Sequence, residues 1–404
     1  QIVVFGDSTS DAGRRFAARA SFDFEDIGPF PWKRLFEAGQ SKAYLPSKGT
    51  ATNGPVWPQY LSVPQVCQDL NFATSSATAS DAFRSREICT GYTGEGEKHR
   101  STATLGEQIK LYMRDFVNKK KDSTLGYTHV IILGSNDLFH AFDAVQRYSI
   151  ASELSITSYE DPVVCTDIFG TDCCKSGISC EPAFAPLIEL LRRGVTGRIL
   201  VGNIASFKGS PVRGLSDENP LHMLNNANVS LENIALGINA KLAPIFAKPQ
   251  VQKLDLYSLF AAISEREEVF TDMGFTAGTG ASLNSPCLDF HFAIDDTAEI
   301  MHTQDSVSDV PFLAFSLAIQ DRRGDSCGKQ CALCADLVSP CQNCLDGNPS
   351  ATVCEDDPDT RIFWDFRHPT TEFHRIFADA VKQCAKKKPN YQVAWVDILC
   401  PEEA

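Results

Sequence analysis

The sequence predicts a three-layer α/β fold, in which helices cover both faces of a parallel sheet. Short apolar runs rich in β-branched residues alternate along the chain with longer segments of helical periodicity. The apolar runs are hydrophobic on both faces, as expected for strands that are covered from both sides. Because strands and helices alternate instead of clustering, crossover helices joining parallel strands are favoured.

Four segments are predicted to be strands of this sheet. They are residues 2–5 (IVVF), 129–133 (HVIIL), 198–204 (RILVGNI) and 251–259 (VQKLDLYSL). Each is short, apolar and bounded by polar residues or glycine, which is typical of a buried strand.

Four segments are predicted to be helices: 104–120, 181–194, 223–246 and 369–387. Apolar residues recur every three to four positions in the first of them. The second ends on a glycine, and the last has proline in its first turn and lysines at its end. Residues 262–310 carry no pattern that assigns them clearly.

Length suggests one large domain with insertions or two domains, and we interpret the chain as a single soluble domain spanning residues 1–404. Hydrophobic residues make up 43% of the chain, enough for a sizeable core, and charged residues make up 22%. The formal net charge of −14 argues against nucleic acid as a partner, since phosphate backbones are themselves negative. The longest apolar run, VPFLAFSLAI, is shorter than the ~20 residues of a membrane span.

The 15 cysteines are mostly clustered in two segments, at about 160–182 and about 321–360. Both segments lack apolar periodicity, so we interpret them as disulfide-tied insertions in the domain. Zinc is the alternative, because CALC and CQNC each have ligand-like spacing, but only six residues separate the two pairs. The odd count leaves one thiol free, or paired with a missing segment or with another chain.

Disulfides favour a secreted protein whose leader has been removed, over a cytosolic protein that begins at residue 1. The sequence NVS at Asn228 is an N-glycosylation motif, which gives weak further support.

Polar residues with catalytic potential follow several of the predicted strands. Ser8 follows the first strand in Gly-Asp-Ser, and Asn136 follows the second in Gly-Ser-Asn-Asp. Asp365 and His368 lie three residues apart just before the last helix. Because ligands collect at the carboxyl ends of parallel strands, we expect these side chains to meet at one edge.

These residue types suit nucleophilic catalysis. A histidine can take the proton of a serine hydroxyl, and a carboxylate can fix the tautomer of that histidine. The amide of Asn136 and backbone N–H groups near Ser8 can stabilise an oxyanion.

The same segments resemble the sequence blocks of the GDSL (SGNH) hydrolase family. FGDSTSD resembles its first block, TNGPVWPQYL (52–61) a segment common in secreted members, GSND its third block and WDFRHPT its last. The resemblance implies a flavodoxin-like α/β/α core with Ser8 as nucleophile, Asp365 and His368 completing the triad, and the Ser8 N–H and Asn136 as oxyanion donors. It implies no metal or other cofactor.

The chain departs from the family pattern at the second block. Its NFATSSATA (71–79) has Ser75 and Ser76 where the family has glycines. The family's third oxyanion donor maps onto the backbone N–H of Ser76, which serves if that residue does not need a positive φ. Thr9 replaces a common leucine of the first block, and we expect its side chain only to pack.

Structural roles are the alternatives for several of these residues. Asp7 could cap a following helix, His368 could be a structural histidine, and Asn136 with Asp137 could form a helix cap. His374 is expected to pack on its helix. Trp57 is expected first in the core and second as a lining of the substrate pocket. HFAIDDTAEIMH (291–302) lacks clean metal-ligand spacing.

The sequence therefore predicts a secreted, monomeric serine esterase acting on short-chain acyl or acetyl esters, with lipid or carbohydrate esters among the possible substrates. A phospholipase or acyltransferase with the same triad is one alternative. A non-catalytic binding relative of the fold is the other, supported only by Ser75 and Ser76.

Overall fold

The computed structural model describes the strands and helices of the core together with short segments that flank them. The described residues are 1–12, 50, 52–61, 70–74, 77–79, 104–117, 126–136, 184–206, 208, 228–275, 286–291, 350–354, 357–364, 368–386 and 394–401.

The centre of the fold is a four-stranded parallel sheet in the order β1-β2-β3-β4. Its strands are β1 (Ile2–Gly6), β2 (Thr128–Ile132), β3 (Arg198–Gly202) and β4 (Val251–Leu254). Residues at 71–74 continue the sheet beyond β1, because the N–H of Phe72 donates to the carbonyl of Val4 at 2.8 Å. With that segment counted second, the order is the 2-1-3-4-5 of flavodoxin-like folds.

Helices cover both faces of the sheet, so the predicted three-layer α/β class is confirmed. One face carries α1 (Leu105–Tyr112), α2 (Phe184–Gly194) and α3 (Asn228–Phe246). The other carries α4 (Leu256–Glu265), α5 (Glu267–Asp272), α6 (Thr371–Cys384) and α7 (Ala394–Leu399). The strands feed both cores because successive side chains alternate: Val3 and Phe5 join the first, and Val4 joins the second.

The predicted strand 251–259 is wrong in its second half. The strand ends at Leu254, and α4 starts at Leu256. Asp255 decides the break, since its carboxylate accepts the N–H of Ser258 at 3.2 Å and caps the helix. Apolar composition alone could not separate a buried strand from a buried helix here.

The predicted helices begin and end within a few residues of the observed ones. Thr104 caps α1, and its N–H donates to the carboxylate of Glu107 at 3.1 Å, as in a capping box. A π-helical stretch, Met113–Val117, follows it directly. Pro369 lies outside α6, contrary to the prediction, because Thr370 is the N-cap.

Two disulfides lie among the described residues. Cys384–Cys400 ties the end of α6 to the end of α7, and both cysteines are fully buried. Cys287–Cys354 joins the residue before β5 (Leu288–His291) to the residue after β6 (Ser350–Val353), and these two strands pair as a small antiparallel sheet.

The first predicted cysteine-rich insertion, 160–182, lies outside the described residues. Of the second, 321–360, the structure describes β6, Cys354 and a 3-10 turn at Pro358–Thr360. Within the described part of the chain, no helix is long and apolar enough to cross a membrane.

Candidate active site

Ser8 lies in a tight turn directly after β1. The carbonyl of Asp7 accepts the N–H groups of Ser10 at 3.0 Å and Asp11 at 2.9 Å, which folds the chain back immediately after the strand. Gly6 makes this approach possible. A Cβ there would lie 2.6 Å from the carbonyl oxygen of Ile132 on β2 and 2.9 Å from the Ser10 side chain.

Asp7 is held by Thr9 and caps no helix among the described residues. Its buried carboxylate accepts the backbone N–H of Thr9 at 3.1 Å and the Thr9 hydroxyl at 2.9 Å. Burial raises the pKa of Asp7, and the two Thr9 hydrogen bonds act in the opposite direction. The expectation that the Thr9 side chain only packs is therefore wrong, because its hydroxyl secures the acid beside Ser8.

His368 reaches the same edge from the far end of the chain. A bridge between Phe363 and Pro369 and a 2.8 Å hydrogen bond from the Trp364 N–H to the His368 carbonyl close the loop that precedes α6. The Nε2 atom of His368 then lies 2.8 Å from the Oγ atom of Ser8, although 360 positions separate the two residues. The structure thus brings the predicted nucleophile and base within hydrogen-bond distance.

Asp365 and Ser76 lie outside the described residues, so their predicted roles stay predictions. The described residues nearest to Asp365 along the chain are Trp364 and His368, and the one that follows Ser76 is Ala77.

Asn136 lies at the end of β2, past Gly134. Gly134 has a φ of 124°, a backbone conformation that side-chain-bearing residues rarely adopt, so glycine suits this turn. The Nδ2 of Asn136 donates one hydrogen to the carbonyl of Ala77 at 2.9 Å, which fixes the amide plane. The same nitrogen carries a second hydrogen, and Asn136 lines the cavity that also contains Ser8.

Trp57 is a core residue that also lines this cavity. It is 1% exposed, and its Nε1 donates to the Ser10 hydroxyl at 2.9 Å. Its ring meets that of Phe377 edge-on, with centroids 5.8 Å apart. Trp57 therefore connects the Ser8 turn to α6.

The cavity beside Ser8 has a volume of about 120 Å³ and is lined by the ends of β1, β2 and β3 together with α4 and α6. His374 on α6 lies in its wall and is 2% exposed. Burial, with a smaller contribution from the neighbouring His368, lowers the pKa of His374 to about 3, so its ring is uncharged at neutral pH. Its Nδ1 has no hydrogen-bond partner among the described residues.

Sequence reasoning missed a polar group at the end of β3. The Ser206 hydroxyl lies 3.0 and 3.2 Å from the two carboxylate oxygens of Glu232, and the Tyr257 hydroxyl donates to the same carboxylate. Nearby, Asn203 donates to Asp255 at 2.7 Å. The rule that placed Ser8 and Asn136 at strand ends would have found Ser206 and Asn203 too, had it been applied to this strand.

The comparison with protein families agrees with this geometry. The model for GDSL-like Lipase/Acylhydrolase matches residues 2–381, nearly the whole chain. The chain belongs to this GDSL-like family. Family membership supports an ester hydrolase acting on small-molecule esters. No curated protein matches the sequence closely enough to count as a relative.

Two further predictions about this GDSL-family protein concern groups away from Ser8. Asn228 is the first residue of α3, and its side chain lies outside the described residues. Among the described residues, no group of three or more His, Cys, Asp or Glu side chains is arranged to hold a metal ion.

Proposed function

We propose that this protein is a secreted serine esterase that hydrolyses carboxylic esters through an acyl-enzyme. The observation that carries the proposal is the 2.8 Å separation between the Oγ of Ser8 and the Nε2 of His368. A histidine at this distance can take the serine proton as the oxygen attacks an ester carbonyl.

In the proposed mechanism, Ser8 Oγ bonds to the carbonyl carbon while its proton moves to Nε2 of His368. The tetrahedral intermediate collapses, the ester C–O bond breaks, and His368 gives that proton to the leaving alcohol. A water molecule then attacks the acyl-enzyme and gives a proton to His368; the bond between the acyl carbon and Ser8 Oγ breaks, His368 returns the proton to Oγ, and the acid is released. Protons and bonds balance over the cycle, with water as the only co-reactant.

We assign the oxyanion hole to the Ser8 N–H, the Asn136 amide and the Ser76 N–H. Asn136 is suited to this role because its bond to Ala77 holds the amide in place before substrate binds, so stabilising the oxyanion needs no reorganisation. Asp365 is proposed to orient His368 through Nδ1, the nitrogen opposite the one that faces Ser8.

Secretion is supported by the two disulfides, since such bonds persist in oxidising compartments. Glycosylation at Asn228 and a monomeric state belong to the same proposal. Glycosylation can be read from the mass that the secreted protein loses when N-linked glycans are removed. The monomeric state can be read from the mass of the native protein in solution.

The decisive experiment measures hydrolysis of p-nitrophenyl acetate and butyrate by the wild type and by Ser8→Ala. We expect kcat to fall by at least about 10⁴-fold in Ser8→Ala, and by about 10²–10³-fold in Asn136→Ala. Ser264→Ala is the matched control. Ser264 lies on α4 with its hydroxyl bonded to the Ala261 carbonyl at 2.8 Å, and it is not among the cavity-lining residues described.

Other outcomes would select the alternatives. Ester hydrolysis that persists in Ser8→Ala would refute the assignment of the nucleophile. An absence of turnover on every ester would favour a non-catalytic binding relative. Transfer of the acyl group to an added alcohol in preference to water would favour an acyltransferase.

A further inference from the structure

The cavity beside Ser8 has one continuous apolar side, which we call the aromatic wall. It consists of Trp57, Phe377, Phe373, Phe260 and Phe363, all of which line the cavity. Successive ring centroids along it lie 5.8, 6.0, 5.5 and 6.0 Å apart. The wall is built from Trp57 at the start of the 3-10 helix Trp57–Tyr60, from α4, from the segment that precedes His368, and from the first two turns of α6.

The aromatic wall offers few hydrogen-bonding groups to a ligand. The Nε1–H of Trp57, its one polar atom, is donated to Ser10. The Nδ1 of His374, next to the wall on α6, is shut off from solvent. A sugar hydroxyl placed here would lose hydrogen bonds to water without replacing them, which is unfavourable.

Polar groups on the β3 side of the cavity are already engaged within the protein. Both polar atoms of the Asn203 amide are used, one donating to Asp255 and the other accepting the Tyr257 N–H at 2.9 Å. The Ser206 hydroxyl is bound to Glu232. These contacts fix the shape of the cavity.

The volume of the cavity limits the length of the acyl chain that it can hold. A cavity of about 150 Å³ lined by aliphatic and aromatic residues takes up benzene, a molecule of six carbons. On the same scale the cavity of about 120 Å³ beside Ser8 has room for about five carbons.

We infer that the aromatic wall and its cavity form an acyl pocket for an aliphatic chain, so that the substrates are esters of acids of about four to six carbons in preference to acetyl esters. This inference rests on the proposed function, because Ser8 must hold the acyl group at the mouth of the pocket. An acetyl group would leave most of the wall without contact. The His374 ring remains uncharged above its low pKa, which keeps this part of the pocket suited to an apolar chain at neutral pH.

The test measures kcat/KM on p-nitrophenyl acetate, butyrate, hexanoate, octanoate and dodecanoate, each divided by its spontaneous hydrolysis rate. Each methylene that is fully buried is worth about fourfold. We expect a rise of at least about tenfold from acetate to hexanoate, since burial in the pocket is partial, and a fall by dodecanoate.

A pocket-filling variant tests the location. Ala205 lines the cavity just after β3, so Ala205→Phe places a ring where the chain is proposed to lie. The ratio of hexanoate to acetate kcat/KM should fall by about tenfold, consistent with loss of two buried methylenes. Ala205→Val should lower the ratio less, which keeps the test available if the larger residue does not fold. Leu236→Phe is the control, since Leu236 is 45% exposed on α3.

The inference and the proposed function fail separately. Hydrolysis that depends on Ser8 but is fastest on acetate would overturn the inference and leave the proposed function intact. So would a hexanoate-to-acetate ratio unchanged by a folded Ala205→Phe variant, as checked by its thermal midpoint. Hydrolysis independent of Ser8 would overturn the proposed function, and the acyl-pocket inference with it.

Discussion

Replacing His374 with leucine should make the protein less sensitive to mild acid. Burial lowers the pKa of His374 from 6.5 to about 3, so between these values the unfolded chain binds a proton that the folded protein does not. Stability therefore falls as the pH drops below about 6.5, and this histidine stops adding to the loss below about pH 3.

The magnitude follows from the difference in proton binding. At pH 5 the unfolded-state histidine lies 1.5 units below its pKa of 6.5, while the folded-state ring is still uncharged. At about 1.4 kcal/mol per unit, the wild type loses about 2 kcal/mol between pH 7 and pH 5 through this one residue. The result depends little on the folded-state pKa, because that value lies well below 5.

The assay is urea unfolding of the wild type and His374→Leu at pH 7 and pH 5 with the disulfides intact. Contributions from other titrating groups largely cancel in the difference between the two proteins. At pH 7 the substitution should cost little, since the Nδ1 of His374 has no hydrogen-bond partner to lose among the described residues. Between pH 7 and pH 5, the free energy of unfolding of the variant should therefore rise by about 2 kcal/mol relative to that of the wild type.

His129 on β2 provides a contrasting variant. Burial lowers its pKa to about 4, so His129→Leu should relieve a similar share of the acid sensitivity. Its Nε2, however, lies 2.8 Å from the hydroxyl of Tyr112, which would lose its partner. His129→Leu should therefore cost about 1–3 kcal/mol at pH 7, unlike His374→Leu.

Equal acid sensitivity in wild type and His374→Leu would refute the reasoning.

Two further predictions concern stability. Thr9→Val removes the hydroxyl bound to the buried carboxylate of Asp7 and should cost about 1–3 kcal/mol in urea unfolding, whereas Thr9→Ser keeps the bond; equal losses in the two variants would contradict the role given to the hydroxyl. Replacing Cys384 and Cys400 together by serine removes a cross-link between positions 16 apart, which should cost about 3 kcal/mol, and an unchanged unfolding midpoint would show that the bond adds nothing to stability.

The sequence alone determined the fold class and the positions of Ser8 and Asn136 after two strands of the sheet. Strands such as Ile2–Gly6 are apolar on both faces, and this pattern requires a cover on both sides of the sheet. The placement of Ser8 and Asn136 after strands follows from the same topology, because parallel strands present their carboxyl ends at one edge. The helix at 256–265 could not be predicted this way, since a buried helix and a buried strand are equally apolar.

Only the tertiary structure decided the distances between distant groups and the hydrogen-bond partners of several side chains. The sequence predicts that Ser8 and His368 meet at one edge of the sheet, but no local pattern gives the 2.8 Å between their Oγ and Nε2 atoms, or shows that the Thr9 hydroxyl donates to Asp7. The aromatic wall likewise joins residues from three separate parts of the chain. Periodicity records which face of an element is buried, whereas contacts across the sheet edge depend on how loops close, and those closures are set by packing between segments that are remote in sequence.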